Sequence, residues 1–303
     1  MKIKILLRKR MEEAKEEKDE KDKKLPYKSS KLLLDNYEII KHLEDGVNRK
    51  ISEIKNKKTG IIFECDKIPR QNIINQEKFE QVIKVLIKSQ HPNIIKVYEI
   101  YKSKSSIYFV VEKCKGGSMF DRIIKDTENK TTYPEKEAAE ILKQVISAVE
   151  YYHNNGIYDK YLKPENLLFL NKGKEKGNII KIIDFGLYKV IAPLNKLKIE
   201  EMPNYYISPE AIKGDCTEKC VIWSAGVLLY ILLSGQPPFI SHSNPLLYKK
   251  ILQMKFDFPE DKWKNISNEV KDLINHILIP EEKRYNAKEV LEHPWFQKFN
   301  DLP

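Results

Sequence analysis

The hydrophobic pattern of this chain changes period near residue 116, and that change restricts the fold more than any other feature. Before it come short strand-like runs: Tyr37-Glu38-Ile39-Ile40 and Lys50–Lys55 alternate at period two, the turn Lys58-Thr59-Gly60 leads into Ile61–Ile68, and Ile107–Glu112 is a further strand. Such alternation sends side chains to opposite faces of a strand. One helical segment interrupts the runs: within residues 76–89, Phe79, Val82, Ile83 and Leu86 fall at i, i+3, i+4 and i+7. After the change, Ala138, Ile141, Leu142, Val145, Ile146, Val149 and Tyr152 recur at spacings of three and four between Pro134 and His153, and Gly156 closes that helix. Strands collected in one part of a chain and helices in another specify an α+β fold.

Whole-chain properties exclude several classes. With 41% hydrophobic residues over 303 positions, the chain is globular and can bury one or two cores. No apolar run approaches the ~20 residues that span a bilayer, and the longest, Ala225–Leu233, reads as a buried helix. The opening MKIKILLRKR lacks the apolar stretch of a secretory signal. Cys65, Cys114, Cys216 and Cys220 include no C-x-x-C pair, so all four read as reduced and structural in an intracellular, cytoplasmic protein. No histidine stands near Cys216 and Cys220 at zinc-ligand spacing. The net charge is +10, of which residues 1–24, with ten Lys/Arg and seven Asp/Glu, hold +3. The other +7 is spread along the chain as solvated charge. Nucleic acid is not an expected partner without interleaved aromatics, whereas an acidic partner or an anionic surface stays open.

Residues 1–25 form a charged unit of their own. Residues 8–24 are charged at 15 of 17 positions, with Glu12, Glu13, Glu16 and Glu17 at helix-pairing distances from Lys15, Lys18 and Lys21. Two readings stand: a solvated helix or disordered tail, or an anchor helix that docks on a partner through Ile3, Ile5, Leu6, Leu7 and Met11.

Several motifs then follow in order. His91-Pro92-Asn93-Ile94 comes after the first helix and Gly116-Gly117-Ser118-Met119-Phe120-Asp121 after the last strand run. Lys163-Pro164-Glu165-Asn166-Leu167-Leu168 precedes a strand at Ile179–Ile183, which leads into Asp184-Phe185-Gly186. Ser208-Pro209-Glu210 and the stretch from Thr217 to Phe239 complete the series. Over residues 37–299 the chain resembles the catalytic domain of protein kinases, and most of all the calcium-dependent and calmodulin-dependent Ser/Thr group. The resemblance implies a bilobal fold, with a β-rich N-lobe at 37–115 and a larger helical C-lobe at 116–299. It also implies that Glu210 pairs with Arg284. No EF-hand loop or calmodulin-binding extension follows Phe296, so calcium control is not expected within this chain.

The same resemblance locates the site and shows where the chain departs from the family. In the pattern H-R-D-L-K-x-x-N, Lys163 and Asn166 are kept, but Asp159, Lys160 and Tyr161 replace the first three letters, so Tyr161 stands for the aspartate that accepts the substrate proton. A phenol with a pKa near ~10 cannot do that at neutral pH. Of the three glycines that cover the phosphates only Gly46 remains; Glu44 and Arg49 occupy the outer positions. The A-x-K strand reads Glu64-Cys65-Asp66, which puts Asp66 where the phosphate-binding lysine belongs. A register slip would bring in Lys67 at the expense of Phe63 and Ile68. The helix glutamate that pairs with that lysine falls on Val82.

Other family positions persist. Val111 is the gatekeeper, Glu112-Lys113-Cys114 is the hinge, and Ser118 stands where a ribose-binding glutamate is common. Asn166 and Asp184 keep the metal-holding positions. Gly46, Glu112, Cys114, Asn166 and Leu168 are the nucleotide contacts if one binds. Residues 187–207 contain no Ser or Thr, leaving Tyr188, Tyr205 and Tyr206 as phosphorylatable groups, and Val221 replaces the aspartate that braces the catalytic loop.

We therefore expect a pseudokinase, a scaffold or regulator of a protein partner. It should need no cofactor, and its affinity for Mg-ATP should be weak or absent. Two alternatives stand beside it. One is an active Ser/Thr kinase in which Arg49 grips the phosphates, as the substitute lysine does in with-no-lysine kinases. The other is a structural part of a larger assembly, docked through residues 1–24.

Overall fold

A computed structural model describes residues 25–45, 50–129, 131–158, 162–173, 177–183 and 204–299. The N-lobe is a six-stranded sheet of β1 (Tyr27–Ser29), β2 (Tyr37–Asp45), β3 (Lys50–Asn56), β4 (Ile62–Pro69), β5 (Val97–Lys102) and β6 (Ser106–Val111). Its order is β1-β5-β6-β4-β3-β2. Every pairing is antiparallel except β1 with β5. Helix α1 (Lys31–Asn36) follows β1, and α2 (Gln76–Lys88) lies between β4 and β5. Asn75 starts α2 by accepting the Lys78 amide at 2.9 Å.

The sheet buries both faces. On the cleft side Ile68, Ile100, Ile107 and Phe109 join Phe79, Val82, Ile83 and Leu86 of α2 in the main core. On the outer side Ile54, Cys65, Tyr101 and Val110 pack with Leu33 and Tyr37 in a second cluster. The segment from β1 through α1 is its lid, and sequence periodicity did not identify it. Glu99 ties this lid down: it takes hydrogen bonds from the hydroxyls of Tyr37 (3.0 Å) and Tyr101 (2.5 Å) and pairs with Lys28.

The C-lobe is helical: α3 (Met119–Glu128), α4 (Glu135–Asn154), α5 (Pro209–Lys213), α6 (Lys219–Ser234), α7 (Asn244–Gln253), α8 (Glu260–Trp263), α9 (Asn268–Ile277), α10 (Ala287–Leu291) and α11 (Pro294–Gln297). Strands β7 (Leu167–Phe169) and β8 (Ile180–Ile182) form a hairpin beside them. Every residue of α6 from Cys220 to Ser234 is buried, so the longest apolar run is the axis of the lobe. The lobes meet at Asn93. Its side chain donates to Gln144 Oε1 (2.7 Å) and Ile180 O (3.0 Å), and its carbonyl accepts the Ile182 amide (2.9 Å). The cleft wall thus rests on α4.

One expectation is corrected. Cys216 and Cys220 are paired as a disulfide with Cα atoms 5.9 Å apart, whereas Cys65 and Cys114 are free. A spacing of four around the start of a helix brings two side chains to one place, which a search for C-x-x-C does not register. Among the described residues no helix is long and apolar enough to cross a membrane.

Candidate functional site

The site is the cleft between the sheet and β7–β8. Strand β4 lies between β3 and β6, with Asp66 opposite Ile51 on one side and Phe109 on the other. Phe109 belongs to the core on the cleft side, and Asp66 lines a cavity there together with Glu64, Val111, Leu168 and Ile183. Asp66 is 5% exposed. Lys67 projects to the outer side, its ammonium 5.7 Å from the Tyr108 ring centroid. The register that assigns Asp66 rather than Lys67 to the cleft is the one present. Val82, 6% exposed, sits in the apolar face of α2 with Phe79 and Leu86.

The hinge side carries a feature that sequence motifs did not suggest. Glu112 Oε1 accepts the Lys96 amide at 2.7 Å and pairs with Lys181 Nζ of β8 at 2.8 Å. Lys113 pairs with Glu53. The Cys114 thiol is pushed up to about 12 by burial and by Glu112 and Glu64, against the opposing charge of Lys181. A thiol so placed stays protonated and unreactive at neutral pH.

Beyond the hinge the chain turns into the C-lobe through Gly116, whose amide donates to Phe169 O at 2.8 Å. A Cβ at Gly116 would lie 2.3 Å from Asn171 O and 2.4 Å from Phe169 Cβ. Backbone cannot yield as a side-chain tip can, so Gly116→Ala will cost about 1–3 kcal/mol, read as a lower urea midpoint with an unchanged slope. Ser118 caps α3 rather than facing a ligand: its Oγ accepts the Asp121 amide at 3.1 Å and donates to Asp121 Oδ2 at 2.7 Å.

On the C-lobe side Leu168 lines the cavity, and Lys163 begins the short turn Pro164–Asn166. The Asn166 amide donates to Lys163 O at 2.9 Å, and its carbonyl accepts the Ile183 amide at 3.1 Å. Asn166 is therefore held against the residue that precedes Asp184. Tyr161, Asp159, Lys160, Gly46, Arg49, Asp184 and Tyr188 lie outside the described residues, as do residues 1–24 and the side chain of Glu44. The phenol of Tyr206 is raised by burial and by Glu165, and its carbonyl accepts Ser224 Oγ at 2.7 Å.

A β-rich lobe and a helical lobe around this cleft match the family model described as the protein kinase domain, over residues 37–296. The chain belongs to the protein kinase family. Calcium-dependent protein kinase 3 of Plasmodium yoelii yoelii is 39% identical over 233 residues, which is 76% of this chain and 42% of that protein. Calcium-dependent protein kinase 5 of Plasmodium falciparum (isolate 3D7) is 37% identical over 269 residues, 88% of this chain and 46% of that protein. Calcium-dependent protein kinase 12 of Arabidopsis thaliana is 36% identical over 276 residues, 89% and 55% respectively. The chain spans about half the length of these relatives.

Mg-ATP is the group a protein kinase fold implies, and charge and volume both test the fit. A phosphate near ~4 Å from a lysine gains about 4 kcal/mol at an effective dielectric of ~20, and an aspartate in its place turns that gain into a repulsion of similar size. The cavity encloses about 70 Å³, whereas small-molecule sites usually run to roughly 300–1,000 Å³. Glu64 and Asp66 thus set carboxylates on the cleft face of β4, where a phosphate would meet charge of its own sign.

Proposed function

We propose that this protein kinase domain transfers no phosphate and acts by binding, as a scaffold or regulator of a protein partner. The observation that carries the reading is Asp66, buried in the cleft wall on the strand where the family's lysine stands. Phosphoryl transfer depends on positioning and on neutralising the charge that moves between oxygens. Glu64 and Asp66 supply charge of the wrong sign, and Tyr161 supplies no base at neutral pH. Val82 supports the same reading, since the lysine's partner is replaced along with the lysine.

An active Ser/Thr kinase is the second reading, favoured by the identity with proteins named as calcium-dependent kinases. It requires Arg49 to replace the lysine and a base from elsewhere. The test is transfer of labelled γ-phosphate to a generic protein substrate by the purified chain and by its Lys163→Ala, Asp184→Ala double variant. Equal background from both is the expected result. Incorporation by the wild-type chain that the double variant loses would establish the active kinase instead. In parallel, 1 mM Mg-ATP should leave the melting temperature within about 1 °C of its starting value, since a ligand with Kd above its concentration adds at most ~0.4 kcal/mol.

A further inference from the structure

Away from the cleft, the described residues bring together one set of metal-ligating side chains: Asp272, His276 and His293. None of the three lines the cleft cavity. Asp272 and His276 are one helical turn apart on α9, so their side chains share a face. His293 stands immediately before α11, which packs on α9. We propose that these three side chains bind a zinc ion, which clamps α9 to the start of α11.

Asp272 Oδ2 lies 3.1 Å from His293 Nε2 and 3.6 Å from His276 Nδ1, and one ligand atom from each residue lies within 4.8 Å of the other two. Ligands about 2.0–2.1 Å from a tetrahedral zinc stand ~3.3 Å from one another, so small side-chain adjustments close the set. Two imidazoles and a carboxylate suit zinc, whereas magnesium and calcium take oxygen ligands. Both rings are already placed. His293 is buried, and His276 stacks on Tyr285 with centroids 4.6 Å apart. The Asp272 carbonyl, 2.9 Å from His276 Nδ1, holds that ring as well, and metal-bound histidines usually keep a partner of this kind. Asp272 is the exposed member of the set, which gives the ion a way in and leaves its fourth position to water. His293 sets the cost. Its Nδ1 accepts the Trp295 amide at 3.2 Å, so the ring proton is on Nε2, where it is donated to Asp272. When Nε2 takes zinc the proton moves to Nδ1, and the Trp295 amide loses its acceptor.

The test is a calorimetric titration of zinc into the full chain after treatment with a chelator, with magnesium as a second arm. Zinc should bind with a Kd below about 100 μM, and magnesium at least tenfold more weakly. The NMR resonance of the Trp295 amide should shift as zinc is added, because the α11 cap opens. Asp272→Asn and His276→Gln keep polar side chains of similar size and leave His293 in place, so without zinc each should melt within about 2 °C of wild type. Each should weaken zinc binding at least tenfold and abolish the Trp295 shift. If zinc does not bind, or if magnesium binds as tightly, the proposal is wrong. If zinc binds while either variant keeps the wild-type affinity, or while the Trp295 amide does not move, the ion is held elsewhere and the proposal is likewise overturned.

Discussion

Replacing Arg284 with alanine will lower the stability of this domain by about 3–5 kcal/mol, the range for breaking a buried ion pair on one side. Arg284 is 1% exposed. Its Nη2 donates to Glu210 Oε1 (2.6 Å) and Ile279 O (2.9 Å), its Nη1 to Glu210 Oε2 (3.3 Å) and Lys219 O (3.0 Å), and its Nε to Ile277 O (3.0 Å). All five guanidinium N–H donors are thus used. The group also lies 5.0 Å from the centroid of Trp223, which stacks on Phe239. Loss of the side chain leaves the Glu210 carboxylate and three carbonyls without these donors in the core of the lobe. Arg284→Lys will recover only part of the deficit, because an ammonium has three donors and no planar fork. Urea unfolding at pH 7 measures both. Acid supplies a second check. Burial raises the Glu210 carboxyl, but Arg284, with help from Ser208, brings it below its ordinary value of 4.5. A carboxyl depressed in the folded state stabilises above its unfolded pKa and loses that contribution as pH falls through the folded one. The difference between wild type and Arg284→Ala should therefore narrow as the pH drops below about 4.5.

This pair was readable through the resemblance to the family, in which the glutamate of the motif at Glu210 has its partner at a known place later in the chain. The cleft strand was readable for a different reason. In a two-faced sheet a shift of one residue exchanges every side chain between faces. Phe63 and Ile68 chose one register, and Asp66 accordingly lines the cleft while Lys67 lies over Tyr108. The helix over Gln76–Lys88 followed from the spacing of Phe79, Val82, Ile83 and Leu86, all of them buried. The lid over Tyr27–Asn36 carries too few apolar positions for any period to emerge, and Leu33 is the one residue of α1 that is buried. Glu112 and Lys181 are 69 residues apart in sequence. A pair so distant becomes visible only when β8 is seen beside the hinge. Cys216 and Cys220 were missed because the turn that leads into α6 at Lys219, not a cysteine motif, brings them together.

The cleft itself offers a test of whether positions 66 and 82 form one unit. Asp66 is opposite Phe109, whose ring meets that of Phe79 edge-on at 6.2 Å, and Val82 lies one turn further along α2. Leu86, on the same face, lines the cavity with Asp66. Returning one position alone to the family's residue should therefore do harm. Val82→Glu puts a carboxylate among the buried apolar side chains of the core, at a cost of about 3–5 kcal/mol. Burial raises the folded-state pKa of such a glutamate, so the folded protein binds the extra proton and the penalty grows as pH rises. Compared with wild type at each pH, the deficit should be larger at pH 8 than at pH 5. Asp66→Lys alone should also destabilise, by burying an ammonium without the glutamate it needs. The double variant Asp66→Lys, Val82→Glu should be more stable than the sum of the single effects predicts, with a favourable coupling of about 1–3 kcal/mol. Strict additivity in chemical denaturation would show that positions 66 and 82 do not interact. A favourable coupling would show that a lysine at position 66 and a glutamate at position 82 stabilise each other within this cleft.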